Sequence, residues 1–129
     1  MRMVRNSIFV GGLALLGTLA LSSEVLAAGD AAKGADVFKR CAICHNAQSG
    51  AGNKIGPNLF GVVGRPAGTF AGYSYSTAMK NSGLTWTAEN LADYVTDPKK
   101  KVPGNKMSYA GLSDAAQVAD LIAYLSTLK

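Results

Sequence analysis

The sequence predicts a small all-α domain in which helices are joined by glycine-rich loops. Apolar residues recur at helical spacing in several segments, and each of these segments follows a residue that can cap a helix. No stretch alternates apolar and polar residues convincingly, as a half-buried strand would. Between Gly50 and Gly72 the chain is dense in glycine and contains two prolines, which predicts an irregular loop.

Residues 1–28 have the three-part pattern of a secretory signal peptide. Arginines precede an apolar run over residues 8–21, and small residues follow at 25–28. The run has 14 residues, fewer than the roughly 20 that span a bilayer as a helix. We therefore expect cleavage after Ala27 or Ala28 and export from the cytosol. An uncleaved anchor is the alternative, although no flexible linker separates the run from the first predicted helix.

Residues 29–129 then form one small domain, whose apolar core would be marginal by itself. Two cysteines cannot supply a disulfide framework, so a large apolar cofactor at the centre is a sensible supplement. The net charge of +5 falls to +4 when two arginines and one glutamate leave with the signal. Such a modest positive charge on an exported protein argues against nucleic acid as a partner.

The N-terminal helix is predicted to begin after Asp30, which caps it, and to run to about Arg40. Its inward face carries residues at helical spacing, namely Gly34, Val37, Phe38 and Cys41. The glycine-rich loop that follows is long enough to wrap around something. We expect its apolar residues to pack inward, namely Ile55, Leu59, Phe60 and Val62.

Three further helices are predicted in the rest of the chain. A short one covers Ser76 to Ser82, and a second is capped by Thr87, stopped by Pro98, and carries Leu91, Tyr94 and Val95 on one face. Residues 99–112 are predicted to form a loop. Ser113 is predicted to cap the terminal helix, whose apolar face is formed by Val118, Leu121, Ile122 and Leu125.

The string CAICH holds the only two cysteines and the only histidine of the chain, Cys41, Cys44 and His45. A structural zinc site needs four ligands, and no second cluster supplies the others. A thioredoxin-like dithiol would follow a strand in a βαβ unit, which is not predicted here. A plain disulfide would close a very short loop and leave His45 without a role. The string is typical of covalent c-type haem attachment, which uses both thiols and the imidazole.

If His45 binds a haem iron, the sixth ligand decides between electron transfer and ligand chemistry. The soft ligands that remain outside the signal are Met79 and Met107, and a lone methionine is more often core filler than a ligand. Met79 lies inside a predicted short helix. Met107 lies in a loop that Pro103 and Gly104 keep extended, so that it can present its side chain across a cavity. Met107 is therefore the better candidate.

The chain resembles class I cytochrome c, and most closely its mitochondrial-like, soluble bacterial periplasmic members. The resemblance covers essentially all of residues 29–129, and five blocks within it occur in the family's order, namely CAICH, GPNLFGVVGRPAG, GYSYSTAMKNSGLTW, YVTDPKKKVPGNKM and DLIAYLSTL. The resemblance implies the small cytochrome c fold, with three main helices, short helices and glycine-rich loops wrapped around one covalent haem. It also implies that the first and last helices cross near Gly34 and Tyr124.

The resemblance implies thioether bonds from Cys41 and Cys44 to one haem c, whose iron has His45 and Met107 as axial ligands. Pro57 would accept a hydrogen bond from the His45 ring and so fix its orientation.

Four more side chains would lie beside the cofactor by the same match. Tyr75 and Trp86 would hydrogen-bond a haem propionate, Arg65 would lie near it, and Tyr94 would lie by the Met107 sulfur. Without the resemblance, ordinary core packing would explain these aromatic residues better.

Two positions depart from the commonest family pattern. Met79 stands where asparagine is usual, and Asn105, counted among the cofactor-binding residues, stands where threonine is frequent. Asn105 can still donate a hydrogen bond, so we expect little change there. Met79 should make its pocket drier, which predicts a shifted reduction potential with unchanged ligation.

The resemblance implies an electron carrier and not an enzyme, because filled axial positions leave no substrate site on the iron. One electron would pass by outer-sphere transfer through an exposed haem edge. The implied partners of this monomer are membrane redox complexes of respiration or photosynthesis. Quinol–cytochrome c oxidoreductase would be the donor, and a terminal oxidase or a photosynthetic reaction centre the acceptor.

Basic residues flank both predicted haem-binding segments. A basic run is usually solvated surface, but near a haem edge it can steer fast encounters with acidic partners. The residues concerned are Lys39, Arg40, Lys54, Lys99, Lys100, Lys101 and Lys106.

Two other classes of function stay open from the sequence. If Met107 did not bind, the open iron could support peroxidase chemistry or the binding of small gases. A periplasmic thiol redox protein would instead keep Cys41 and Cys44 free or disulfide-linked and would be colourless.

Overall fold

The computed structural model describes residues 29–129, and the predicted signal peptide at 1–28 lies outside the described residues. Within this range there are five helices and, apart from one isolated antiparallel bridge between Pro66 and Thr85, no β-structure. The helices are α1 (Ala31–Phe38), α2 (Thr77–Lys80), α3 (Ala88–Thr96), α4 (Pro98–Lys101) and α5 (Ala115–Ser126). The prediction of an all-α fold is confirmed.

The first and last helices cross closely, as the resemblance implies. The Asp30 carboxylate caps α1 by accepting two backbone N–H bonds at 2.9 and 3.1 Å, and the Asp30 N–H donates to the Asp120 carboxylate at 2.7 Å. A Cβ atom on Gly34 would lie 1.9 Å from the Asp120 carbonyl oxygen, so only glycine allows this approach. The rings of Phe38 and Tyr124 pack beside the crossing with centroids 5.2 Å apart.

Pro98 ends α3 as predicted, but it also begins α4, which occupies the start of the predicted loop. The Asp97 carboxylate caps α4 by accepting the Lys100 N–H at 3.1 Å. Proline suits the first helical position, because its φ is helical and the N–H that it lacks would have no partner in the helix there. Thr87 caps α3 as predicted, by accepting the Asn90 N–H at 3.1 Å.

The cap of α5 is Asp114 and not Ser113, so the predicted start was one residue early. The Asp114 carboxylate accepts the Gln117 N–H at 3.0 Å, a bond that a carboxylate makes as well as a hydroxyl. The predicted apolar face is confirmed, because its four residues Val118, Leu121, Ile122 and Leu125 are all buried.

The glycine-rich loop contributes to the core less uniformly than predicted. Val62 is buried, and Leu59 and Phe60 are partly buried. The expectation that Ile55 packs inward is wrong, because its side chain is 75% exposed. Its backbone carbonyl accepts the Tyr73 hydroxyl at 2.8 Å, and this polar contact with the loop leaves the side chain on the surface.

Candidate functional site

The C-x-x-C-H string forms a compact turn directly after α1. The N–H groups of Cys41 and Ala42 donate to the Phe38 carbonyl at 2.7 and 2.9 Å. Those of Cys44 and His45 donate to the Cys41 carbonyl at 3.0 and 2.9 Å. Both cysteines are half-buried and form no disulfide with each other, so the turn holds two sulfur atoms and an imidazole close together.

The His45 imidazole is fixed in one tautomer by its contact with Pro57. Nδ1 lies 2.7 Å from the Pro57 carbonyl oxygen, which can only accept, so Nδ1 carries the hydrogen and Nε2 keeps a free lone pair. Burial lowers the pKa of His45, although the bond to Pro57 opposes this, and the ring is therefore neutral at pH 7. A Cβ on Gly56 would lie 2.3 Å from His45 Cε1, so a larger residue there would displace the ring.

This donor set fits a covalently attached haem. Two neighbouring thiols can form thioethers, and a neutral imidazole held through Nδ1 can offer Nε2 to iron. Burial raises the pKa of the Cys41 thiol, which is the opposite of what a reactive redox thiol needs. The turn also follows a helix C-terminus, whereas low-pKa thiols are favoured at helix N-termini. The geometry thus favours haem attachment over a thiol redox role.

Sequence reasoning missed Asn58, which is only 2% exposed and ties the glycine-rich loop together. Its side-chain amide donates to the carbonyls of Gln48 and Ala51 at 2.8 and 2.7 Å. Its side-chain oxygen accepts the Phe60 N–H at 3.0 Å. Because Asn58 follows Pro57 directly, these bonds also hold the carbonyl that orients His45. The only sequence signal was an asparagine inside a run of apolar residues and glycines.

The structure brings together Arg65, Tyr75 and Trp86, the three residues expected around a haem propionate. The Arg65 guanidinium lies 4.7 Å above the Phe70 ring, and the Tyr75 hydroxyl oxygen accepts the Phe70 N–H at 3.1 Å. The Trp86 backbone N–H donates to the Arg65 backbone carbonyl at 2.9 Å. Burial lowers the pKa of Arg65 and raises that of Tyr75, although Arg65 keeps its charge.

Tyr94 lies beside the Met107 sulfur, as expected from the resemblance. Its hydroxyl is 3.9 Å from the Met107 sulfur, and its ring packs on buried Trp86 with centroids 4.9 Å apart. Burial raises the pKa of Tyr94 to about 12, so the hydroxyl keeps its hydrogen and can donate at neutral pH. Met107 itself is only partly buried.

The two departures from the family pattern have different surroundings. Met79 is 8% exposed and belongs to the apolar core. The Asn105 amide nitrogen donates to the Pro98 and Val102 carbonyls, each at 2.9 Å, and its oxygen accepts the Met107 N–H at 2.9 Å. The expected hydrogen-bond donor at Asn105 is therefore present, but its hydrogens are directed to the neighbouring backbone.

The seven basic residues named in the sequence analysis differ in their ion pairs and hydrogen bonds. Lys39 pairs with Asp36 at 2.9 Å and Lys101 with Asp93 at 3.0 Å. The remaining bonds are to uncharged groups. Lys54 donates to the Ala42 carbonyl, Lys106 to the Ser74 carbonyl, and Arg40 to the Gln117 amide at 3.4 Å. Lys99 and Lys100 are exposed on α4 and make no side-chain contact of this kind with the described residues.

An all-α domain with a C-x-x-C-H turn at the end of its first helix defines a class of covalent haem proteins. The family model for cytochrome c matches residues 31–129, and the chain belongs to this family, as a class I cytochrome c. One relative is a cytochrome c2 of Blastochloris viridis, 53% identical over 107 residues, which are 83% of this chain and 84% of that protein. Another is a cytochrome c2 of Agrobacterium tumefaciens, 52% identical over 100 residues, which are 75% of this chain and 90% of the relative.

Solved structures lead to the same family. The structure of cytochrome cH from Methylobacterium extorquens superposes with a TM-score of 0.73 at 51% sequence identity, covering 77% of this chain and 99% of that one. The prediction of a class I cytochrome c is confirmed, and so is the prediction of one covalently attached haem c, which this family binds through its C-x-x-C-H motif. The protein is accordingly a single-haem electron carrier. None of the described helices is long and apolar enough to cross a membrane.

Proposed function

We propose that the protein shuttles single electrons between membrane redox complexes of the periplasm, by outer-sphere transfer through an exposed haem edge. The observation that carries the proposal is the fixed pair of candidate ligands. His45 is held by Pro57 with Nε2 free, and Met107 is held beside the Tyr94 hydroxyl. If both residues held a haem iron, they would leave no position on it for a substrate, and the haem would exchange electrons only.

In this proposal Cys41 and Cys44 attach the haem, while His45 and Met107 bind its iron. The bound haem supplies a one-electron couple, and a thioether ligand raises its potential by favouring the reduced iron. The neutral His45 tautomer matters because a protonated imidazole could not bind a metal. Tyr94 orients the Met107 sulfur and, with a pKa raised to about 12, adds no negative charge.

The residues around this site keep water out and polar groups in place. Trp86, Tyr94 and Met79 are each less than 10% exposed, so they would surround the haem with buried side chains. Arg65 and Tyr75 meet at Phe70, where their N–H and O–H groups could bind a haem propionate. A rigid, nearly dry site changes little when an electron arrives, and this is the requirement for fast electron transfer.

We propose a quinol–cytochrome c oxidoreductase as donor and a terminal oxidase or photosynthetic reaction centre as acceptor. Support comes from the cytochrome c2 relatives and from the exposed lysines of α4, which precede the Met107 loop. Export rests on the signal-like pattern of residues 1–28, which would be cleaved after Ala27 or Ala28. We further propose that the carrier acts as a monomer.

The test is the optical spectrum of the dithionite-reduced periplasmic protein before and after addition of carbon monoxide. We expect c-type haem bands that the gas does not move, because Met107 closes the iron. Met107→Leu should let carbon monoxide bind and shift the bands, whereas the matched variant Met79→Leu should behave like the wild type. The mass of the same preparation tests export, since cleavage leaves a chain that begins at Ala28 or Gly29.

The other outcomes have definite meanings. Bands of the wild type that shift with carbon monoxide would contradict a closed carrier and favour peroxidase chemistry or gas binding. Loss of ligation in Met79→Leu, with Met107→Leu unaffected, would show that the ligands were assigned to the wrong methionine.

A further inference from the structure

Asn105 uses all its side-chain hydrogen-bonding groups within one short segment. Both hydrogens of its amide nitrogen are donated, to the Pro98 and Val102 carbonyls at 2.9 Å, and its oxygen accepts the Met107 N–H at 2.9 Å. The last bond, to a backbone N–H two residues on, is an Asx turn. One side chain therefore connects both ends of α4 to the backbone of Met107.

The segment to which Asn105 is bonded is firmly anchored. Pro98 is one of the largest fully buried side chains, and Val102 is only 3% exposed. The Asn105 backbone N–H also donates to the Val102 carbonyl, at 3.1 Å. The side chain of Asn105 thus ties the backbone of Met107 to a buried segment, although Met107 itself is only partly buried.

Met107 lies in the loop between α4 and Leu112, here called the Met107 loop. The other contacts of this loop do not fix the backbone of Met107. Lys106 donates to the Ser74 carbonyl through a long, flexible side chain. Beyond Met107, the next backbone anchor is the bond from the Leu112 N–H to the Val95 carbonyl at 2.8 Å. Among the described residues, Asn105 is the partner of the Met107 N–H, so its loss would free that group.

We propose that Asn105 is a positioning residue that holds Met107 in place as the sixth iron ligand and resists its displacement by external ligands. This inference rests on the proposed function, in which Met107 binds the iron. Each neutral hydrogen bond contributes about 1 kcal/mol, and a tenfold change in an equilibrium constant corresponds to about 1.4 kcal/mol. When the Met107 backbone moves away, it breaks one of these bonds, that of its N–H to Asn105, so loss of this bond should favour the detached state of Met107 by about fivefold.

The test is an optical titration of the ferric holoprotein with imidazole, which binds the iron only where Met107 detaches. Asn105→Ala should bind imidazole about fivefold more tightly than the wild type. Asn105→Thr can donate one bond and accept one, so it should lie between the two and serves if the alanine variant does not fold.

Asn90→Ala is the matched control, because Asn90 also donates to a backbone carbonyl, that of Thr85 at 2.8 Å, but on α3. Its unfolding free energy in denaturant should fall while its affinity for imidazole stays at the wild-type value. A purely structural role for Asn105 would make its variants behave in the same way.

Met107→Ala separates failure of this inference from failure of the proposed function. If Met107→Ala binds imidazole tightly while Asn105→Ala and Asn105→Thr match the wild type, Asn105 is not a positioning residue and Met107 is still the ligand. If Met107→Ala itself matches the wild type, Met107 is not the ligand and the proposed ligation is wrong.

Discussion

Met79 places a thioether where the resemblance to class I cytochrome c implies an amide. The side chain is buried in the apolar core, at the end of a short helix that Ser76 caps by accepting the Met79 N–H at 3.1 Å. Apolar surroundings disfavour the additional positive charge of an oxidised iron. A thioether here should therefore raise the potential without taking part in ligation.

We predict that Met79→Asn lowers the reduction potential by roughly 20–60 mV, a change of about 0.5–1.4 kcal/mol for a one-electron couple. The physical reason is that a buried amide dipole and its water stabilise the oxidised state. Voltammetry of the adsorbed holoprotein provides the measurement, and the carbon monoxide test checks that ligation is unchanged. Thr77→Asn, on the exposed side of the same helix, is the control. An unchanged potential in Met79→Asn would refute the prediction.

At single residues, the haem-attachment motif could be predicted from the sequence, whereas the hydrogen-bond partners of buried side chains could not. Cys41, Cys44 and His45 could be predicted together because attachment needs them within five positions. The partners of Asn58 and Asn105 could not, because a side-chain amide can bond to any carbonyl that the loops bring near it. Loop geometry depends on the whole fold, so the anchoring role of these two residues is found only in the structure.

At the scale of elements, the crossing of α1 and α5 is the tightest contact of the fold. The Gly34 backbone lies against the Asp120 carbonyl, and a Cβ would also come within 2.7 Å of the Tyr124 Cβ. These neighbours are backbone atoms or the base of a side chain, so they cannot move aside cheaply. The C-x-x-C-H turn begins at the Phe38 carbonyl at the end of α1, and it therefore depends on this crossing.

We predict that Gly34→Ala lowers the unfolding free energy by roughly 2–3 kcal/mol, although alanine favours the helical conformation by up to about 1 kcal/mol. The reason is the overlap with the Asp120 carbonyl, which forces the helices apart. Denaturant unfolding of the holoprotein is the measurement. Gly52→Ala is the control and should stay within about 0.5 kcal/mol of the wild type, because a Cβ there meets no atom within 4 Å. Equal stability of both variants would contradict a tight crossing.

Element boundaries show what periodicity can and cannot predict. The inward face of α5 was predicted fully, because Val118, Leu121 and Leu125 repeat at helical spacing. Its cap was misplaced by one residue, because Ser113 and Asp114 are both good caps. The choice between them depends on the residue at which the preceding loop ends and the helical conformation begins. Ile55 was misplaced because irregular loops lack a period, and no pattern tells which of their apolar residues face inward.

At the scale of the whole molecule, charge should govern how the carrier meets its partners. Lys39 and Lys101 are paired with carboxylates, whereas Lys99 and Lys100 on α4 are free of such pairs among the described residues. The free lysines lie just before the Met107 loop, while Lys33 lies in the first turn of α1. Steering by a few exposed charges near the transfer site acts mainly on the association rate and is weakened by salt.

We predict that Lys100→Glu lowers the rate of reduction by quinol–cytochrome c oxidoreductase roughly threefold to tenfold at low ionic strength. Lys33→Glu, with the same change in net charge, should have a much smaller effect, because it lies at the far end of α1 from the haem-binding turn. Both rates should converge on the wild-type rate as salt is added. Identical rates for the two variants, or a flat salt profile of the wild type, would leave the lysines as solubilising residues.

The contact between α1 and α5 also limits when the domain can fold during export. It joins residues 90 positions apart, from Asp30 at the start of the domain to Asp120 near its end. If the chain crosses a membrane from its N-terminus, α1 arrives first and has no partner until the last helix has followed. The domain would therefore remain open throughout translocation and close only afterwards, so that the haem-binding turn stays accessible while the chain is being exported.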